Sequence, residues 1–149
     1  MSAAVEVRVA AGGDELAQAF KIRHEVFCGE QKVPEALERD VLDASATHVV
    51  ALDAGRVVGT ARFVPYEPGR SAKVGRVAIA AAQRKTGAGK ALMKGVEAEV
   101  ARQGFGEIVL DAQIDVRDFY LRLGYAVEGK EFVEAGIMHQ RMRRRLPAR

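Results

Sequence analysis

Apolar and polar positions along this chain change period several times, and each change marks an element. The start, Met1 to Val9, ends in the alternation Val5-Glu6-Val7-Arg8-Val9, the two-residue period of a half-buried strand. Gly12-Gly13 breaks it. Leu16, Ala19, Phe20, Ile22, Val26 and Phe27 then recur at helical spacing, with Asp14 placed to cap that helix. Pro34 opens a short second helix. The apolar runs from His48 to Leu52 and from Val57 to Val64 flank Asp53-Ala54-Gly55-Arg56, a hairpin signal with a turn of two or more residues.

A further strand is predicted from about Lys73 to Ala80, leading through a glycine-rich stretch into a helix from about Gly87 to Gln103. Leu92, Val96 and Val100 form the buried stripe of that helix. Ile108-Val109-Leu110 reads as a buried strand, and Val116 to Leu123 as a helix stopped by Gly124. Tyr125-Ala126-Val127 and the segment from Ile137 to Met142 supply one or two last strands. This order predicts an α/β chain with a mixed sheet of six to seven strands and helices on both faces.

No repeat, low-complexity block or linker interrupts the 149 residues, so positions 1–149 are read as one domain. A single cysteine, Cys28, excludes an internal disulfide framework and fits a reducing, cytoplasmic setting. The interior of a helix suggests a small core role for it. His24, His48 and His139 lack metal-ligand spacing, so no metal is expected. No apolar run approaches membrane-spanning length.

The net charge of +3 is mild, and much of the excess lies in Arg141, Arg143, Arg144, Arg145 and Arg149. A solvated end explains this tail more simply than a nucleic-acid arm, which would call for interleaved aromatics or a helix-turn-helix.

The stretch Arg84-Lys85-Thr86-Gly87-Ala88-Gly89-Lys90 carries the sharpest chemical signal. Glycines at the opening of a helix let backbone approach a ligand, and the free N–H groups of the first turn attract anionic oxygen. Arg84, Lys85 and Lys90 add positive charge. A Walker loop would need glycine at position 84 and Ser or Thr at 91, where Arg84 and Ala91 stand; a dinucleotide fingerprint fails at Leu92. The pattern present is R-x-x-G-x-G after a strand and before a helix.

That pattern resembles the acetyl-CoA pyrophosphate loop of the GNAT N-acetyltransferase superfamily. Asp111-Ala112-Gln113 followed by Phe119-Tyr120 and Gly124-Tyr125 resembles a second signature of the same superfamily. Arg23 to Pro34, continuing through Glu38-Arg39-Asp40, Asp43 and His48, together with Gly136-Ile137-Met138-His139, resembles its ElaA-like branch. The resemblance covers nearly the whole chain.

It implies acetyl-CoA as cofactor and a small amine, or a protein amine, as acceptor, in a monomer or homodimer. Backbone amides from Lys85 to Lys90, with Ala88 and Thr86 among them, would hold the pyrophosphate. Val77 and Ile79 would pair with the pantetheine arm, with a backbone N–H near Val77 or Ala78 polarising the thioester. Gln113 would reach the cofactor amides, Phe119 would adjoin the cofactor, and Tyr120 would protonate the departing thiolate.

The branch often carries glutamate before the arginine of the fourth strand. Here Gly75 precedes Arg76, so that position supplies no base. Glu30, Asp40, Asp43 and His48 remain candidates, as does a water chain. Arg23 lies on the helix face that carries Phe20 and Phe27, so it wants an acidic partner, and Glu30, Asp40 or Asp43 could provide it while shaping the acceptor pocket. The loss of that glutamate keeps a second reading open, an acyl-CoA-binding regulatory protein with a degenerate acceptor site.

Overall fold

The computed structural model describes residues 5–147, so Met1 to Ala4 of the predicted first strand and Arg149 of the tail lie outside the described residues. Seven strands form one sheet: β1 (Glu6–Val9), β2 (Thr47–Asp53), β3 (Arg56–Glu67), β4 (Ser71–Ile79), β5 (Glu107–Gln113), β6 (Ala126–Glu134) and β7 (Ile137–Arg145). Their spatial order is β1-β2-β3-β4-β5-β7-β6. Every neighbouring pair is antiparallel except β4 and β5. The helices are α1 (Gly12–Arg23), α2 (Glu35–Glu38), α3 (Ala88–Arg102) and α4 (Arg117–Arg122).

The sheet is covered on both faces, as the alternating order of elements requires. On one face Leu92, Val96 and Val100 of α3 pack on Val74, Ile108, Leu110 and Met142, all essentially inaccessible to solvent. On the other, Ala19 and Ile22 of α1, with Val26 just beyond it, pack on Val50, Leu52 and Ala78. Each buried Val, Leu, Ile or Met among these contributes about 1.5–3 kcal/mol, and the alanines less. Gly95 lets α3 approach β1 closely, since a Cβ there would lie 2.2 Å from Val7 Cγ1.

Three local expectations are corrected. Helix α1 begins at Gly12 with Ala11 at the cap position and no side-chain cap. Asp14, already inside the helix, accepts from Gln18, while Glu15 accepts the Ala11 N–H. After Arg23 the backbone widens into a π-helix from His24 to Glu30, so the predicted continuous α-helix changes its hydrogen-bond spacing there. Cys28 on that segment is half-buried, and burial pushes its thiol pKa up. Helix α4, by contrast, agrees with its predicted bounds, running from Arg117 to Arg122 between Val116 and Leu123 at the cap positions, after a 3₁₀ turn, Ile114–Val116.

Within the described residues the tail is part of the sheet, neither frayed nor an arm. Arg141, Arg143, Arg144 and Arg145 belong to β7 and meet Asp111, Glu67, Glu107, Glu128 and Glu97. Acidic residues scattered through the sequence thus neutralise a charge run that looked unpaired. The β2–β3 turn, by contrast, takes the shorter form that its sequence allows: Asp53 pairs with Arg56, and Ala54 and Gly55 hold φ of 51° and 81°.

Candidate active site

The site begins with a defect in the sheet. Arg62 on β3 pairs with Gly75 on β4, but Thr60 pairs with Ala78, so β4 carries an extra residue between these pairs. Arg76 occupies that bulge with φ of 53°, a conformation costly for a non-glycine residue. Its side chain holds it there, donating from Nε to Glu38 O at 2.9 Å and from Nη2 to Leu37 O at 3.1 Å.

On its other side β4 pairs with β5 only over Ser71–Val74 against Glu107–Leu110. Beyond that point the two strands part. Ala80 donates to Val58 O on β3, so alternation turns Ala78 toward β3 as well and leaves Val77 and Ile79 facing the opening.

A cavity of about 560 Å³ fills the parted region. It is lined by Gly75, Arg76 and Val77 from β4, by Asp111 and Gln113 from β5, and by Tyr120 from α4. A Cβ at Gly75 would meet nothing within 4 Å, so the missing glutamate leaves open space. Tyr120 is only 6% exposed, and burial pushes its phenol pKa well up, which keeps it protonated.

Its ring packs edge-on against Phe119 and Tyr125. Among the described residues no buried side-chain polar atom lacks a partner, and the Tyr120 hydroxyl bonds to none, so the cavity reaches it. Gln113 exchanges amide hydrogen bonds with Gln31 at 2.7 and 3.2 Å, tying β5 to the turn after the π-helix.

The glycine-rich stretch adjoins this opening without lining the cavity. Lys85 and Gly87 both take positive φ, 63° and 90°, and Gly87 caps α3, with Ala91 N donating to its carbonyl at 3.0 Å. Thr86 Oγ1 donates to Gln83 O, and Ala88 is buried. Gly89 faces the Phe119 ring, where a Cβ would sit in ordinary contact at 3.5 Å. Lys85 and Lys90 have no carboxylate partner among the described residues.

Arg84 is committed elsewhere. It pairs with Glu30 at 2.7 Å and donates from Nε to Ile79 O at 3.1 Å. Glu30 therefore belongs to the loop side and does not join Arg23.

The acceptor face, toward α1 and α2, holds a closed ring of alternating charges. Arg23 meets Glu38 at 2.8 Å, Glu38 meets Arg76 at 3.2 Å, and Arg76 meets Asp40 at 3.3 Å. Asp40 meets Arg62 at 2.7 Å, Arg62 meets Asp43 at 2.8 Å, and Asp43 returns to Arg23 at 2.7 Å. Arg23 and Glu38 are 1% and 3% exposed. Such a network stabilises little in net terms, but removing one member strands a buried charge.

Burial disfavours the Asp43 anion, yet hydrogen bonds from Arg23 and Arg62 hold its carboxyl far below the usual range; Arg62 holds Asp40 down likewise. Asp40 and Asp43 also cap each other's turn, Asp40 accepting from Leu42 N and Asp43 from Asp40 N. His48 stands apart, its Nε2 2.9 Å from Asp43 O and its ring edge-on to Phe20, and it does not line the cavity.

Of the three carboxylates that sequence reasoning offered Arg23, Asp43 pairs with it while Glu30 and Asp40 pair elsewhere, and Glu38, Arg62 and Arg76 were missed as ring members. Arg62 carried a usable signal, a cation within the apolar run of β3. Glu38 did not, since nothing in its spacing from Arg23 links the two.

A family model described as "Acetyltransferase (GNAT) domain" matches residues 8–146. The chain belongs to the GNAT acetyltransferase family. Its similarity to the uncharacterized N-acetyltransferase YjcF of Bacillus subtilis (strain 168) is 35% identity over 135 residues, 90% of this chain and 95% of that protein. An acyl-CoA N-acyltransferase from Pseudomonas aeruginosa superposes with a TM-score of 0.82 at 27% identity, covering 95% of this GNAT chain and 99% of the other. ElaA of Escherichia coli shares the fold, with a TM-score of 0.81 at 23% identity over 95% and 99% of the two chains.

This GNAT protein is accordingly an acyltransferase, and its relatives give no support to the regulatory alternative. No helix among the described residues is long and apolar enough to cross a membrane.

Proposed function

We propose that this protein is an N-acetyltransferase that transfers acetyl directly from acetyl-CoA to the amine of a small molecule. The observation that carries the reading is the parted β4–β5 pair: an opening walled by unpaired strand backbone, with a protonated tyrosine at the cavity and a positively charged helix start beside it. Acetyl-CoA, when bound, supplies an activated thioester.

The residues present fit that group. The amides from Lys85 to Lys90, at the positive end of α3 and beside two cations free of carboxylates, suit a pyrophosphate. Backbone of Val77 and Ile79 offers strand-like hydrogen bonds to an extended amide-bearing arm, once Arg84 yields the Ile79 carbonyl. The Val77 N–H is the donor placed to stabilise a developing oxyanion. Phe119 closes the side of the loop, and Gln113 can offer its amide if it exchanges Gln31 for the cofactor. Tyr120, kept neutral by burial, donates a hydrogen bond toward the leaving sulfur.

Arg23 and Asp43 shape the acceptor wall through the ring, while Asp40 presents it to the cavity. Ion pairing makes Asp40 and Asp43 poor bases, and neither Glu30 nor His48 lines the cavity. The test is calorimetry with CoA followed by thiol release from acetyl-CoA across an amine panel. Binding without release by any amine removes the transferase reading, and absence of binding removes the cofactor site.

A further inference from the structure

The cavity's carboxylates are almost all committed. Glu38 and Asp40 belong to the charge ring, and Asp111 is held by Arg141 at 3.0 Å and Lys73 at 3.3 Å. Glu134 is exposed on β6 and therefore hydrated. Ion pairs thus occupy the oxygens of Glu38, Asp40 and Asp111, and water those of Glu134.

His139 differs from all of them. The β5–β7 register sets it beside Gln113, so both side chains leave the sheet on one face, and both line the cavity. Gln113 meets Gln31 there, which makes this the acceptor face. The imidazole is 8% exposed and stacks on Phe132 with ring centroids 5.8 Å apart.

Its Nδ1 lies 2.7 Å from the Ile137 carbonyl oxygen. A carbonyl only accepts, so the proton of the neutral ring sits on Nδ1 and the lone pair on Nε2. Nε2 has no partner among the described residues, where no buried side-chain polar atom is left unsatisfied, so the cavity reaches it.

We propose that His139 Nε2 is the base that takes the proton from the acceptor amine, an assignment that rests on the N-acetyltransferase reading above. The amine lone pair forms the C–N bond while the C–S bond breaks. The thiolate leaves with that electron pair and takes the Tyr120 phenol proton, the surplus proton on nitrogen passes to Nε2 and on to water, and water returns a proton to the phenolate. Nitrogen bonded to the carbonyl carbon holds its proton far more weakly than a free alkylammonium does, so an imidazole suffices. The Ile137 carbonyl fixes both the tautomer and the ring orientation.

Two readouts test this on the full chain. Nitrogen-15 NMR of the imidazoles, near neutral pH, should show His139 as the Nδ1–H tautomer; a proton on Nε2 instead overturns the assignment whatever the activity. His139→Asn keeps a donor for the Ile137 carbonyl but lacks Nε2. With acetyl-CoA and benzylamine or hydroxylamine as probes, its kcat should fall about 100-fold or more.

CoA affinity of that variant by calorimetry should stay within about twofold, and added imidazole should recover about tenfold of the loss in His139→Ala. Activity of His139→Asn within about threefold of the parent, or the same loss in Glu134→Gln, sinks the proposal. Failure of the unmodified chain to bind CoA would instead remove the cofactor reading, leaving the tautomer result to stand by itself.

Discussion

The two sides of the β4–β5 opening are built on opposite principles. The loop side is made of backbone: Gly87 at φ of 90°, the first amides of α3 and the unpaired edge of β4. The acceptor side is made of side chains drawn from α1, α2, the following turn, β3 and β4 into one ring of six charges. Backbone sites are specified by neighbours in sequence, whereas this ring exists only once Arg23, the stretch from Glu38 to Asp43, Arg62 and Arg76 have met. The first tolerates change at its surface side chains, and the second fails when any buried member is lost.

The sharpest way to break the contrast is at the ring. Arg23→Met strips buried Glu38 and Asp43 of one arginine each, leaving Glu38 only Arg76 and Asp43 only Arg62, and should cost about 3–5 kcal/mol in urea unfolding. A loss under about 1 kcal/mol would mean that the ring is replaceable like a surface pair.

On the loop side, Gly87→Glu places a side chain and a negative charge at a positive-φ helix cap. CoA affinity should drop by about 100-fold or more, roughly 2.7 kcal/mol, with a smaller change in stability. Unchanged calorimetry would remove the loop from the cofactor site.

Tyr120→Phe keeps the packed ring and deletes only the hydroxyl that the cavity reaches. Turnover should fall about 10- to 100-fold while CoA binding holds. Equal loss in binding and turnover would make the residue structural.

Acid sensitivity separates the two sides again. Asp40 and Asp43 have folded-state pKa values below their unfolded ones, so their stabilisation is present above about pH 4 and is lost as the pH falls through the folded values. Urea midpoints of the parent should therefore decline below about pH 4, and Asp43→Asn, already weaker at neutral pH, should decline less steeply. The smallest effect belongs to Glu30→Ala. Its pair with Arg84 is two-fifths exposed, and stability should change by less than about 1 kcal/mol.

Much of the fold was legible because burial imposes period. The stripe Leu92, Val96, Val100 and the run Ile108-Val109-Leu110 predicted α3 and β5 from packing needs that are local in sequence. Helix α1 was misread at both ends. Asp14 looks like a cap but lies inside the helix, and the π-helix after Arg23 keeps the same apolar residues inward while changing the spacing of its hydrogen bonds. The arginines of β7 looked like a loose tail because their partners lie on β3, β5, β6 and α3, dispersed along the chain.

By itself the sequence determined the alternation of strands and helices, the glycine-rich opening of α3, and the exclusion of Walker and dinucleotide loops. Each depends on residues a few positions apart, where backbone sterics and side-chain period act directly. Only the tertiary structure decided that Arg84 and Glu30 pair on the loop side, that Arg62 and Arg76 join Arg23, and that His139 enters the cavity. Those placements depend on a one-residue bulge in β4 and on the register of β7 against β5. Neither leaves a local mark, because a charge without its partner looks the same in sequence whether it ends in water or in a ring.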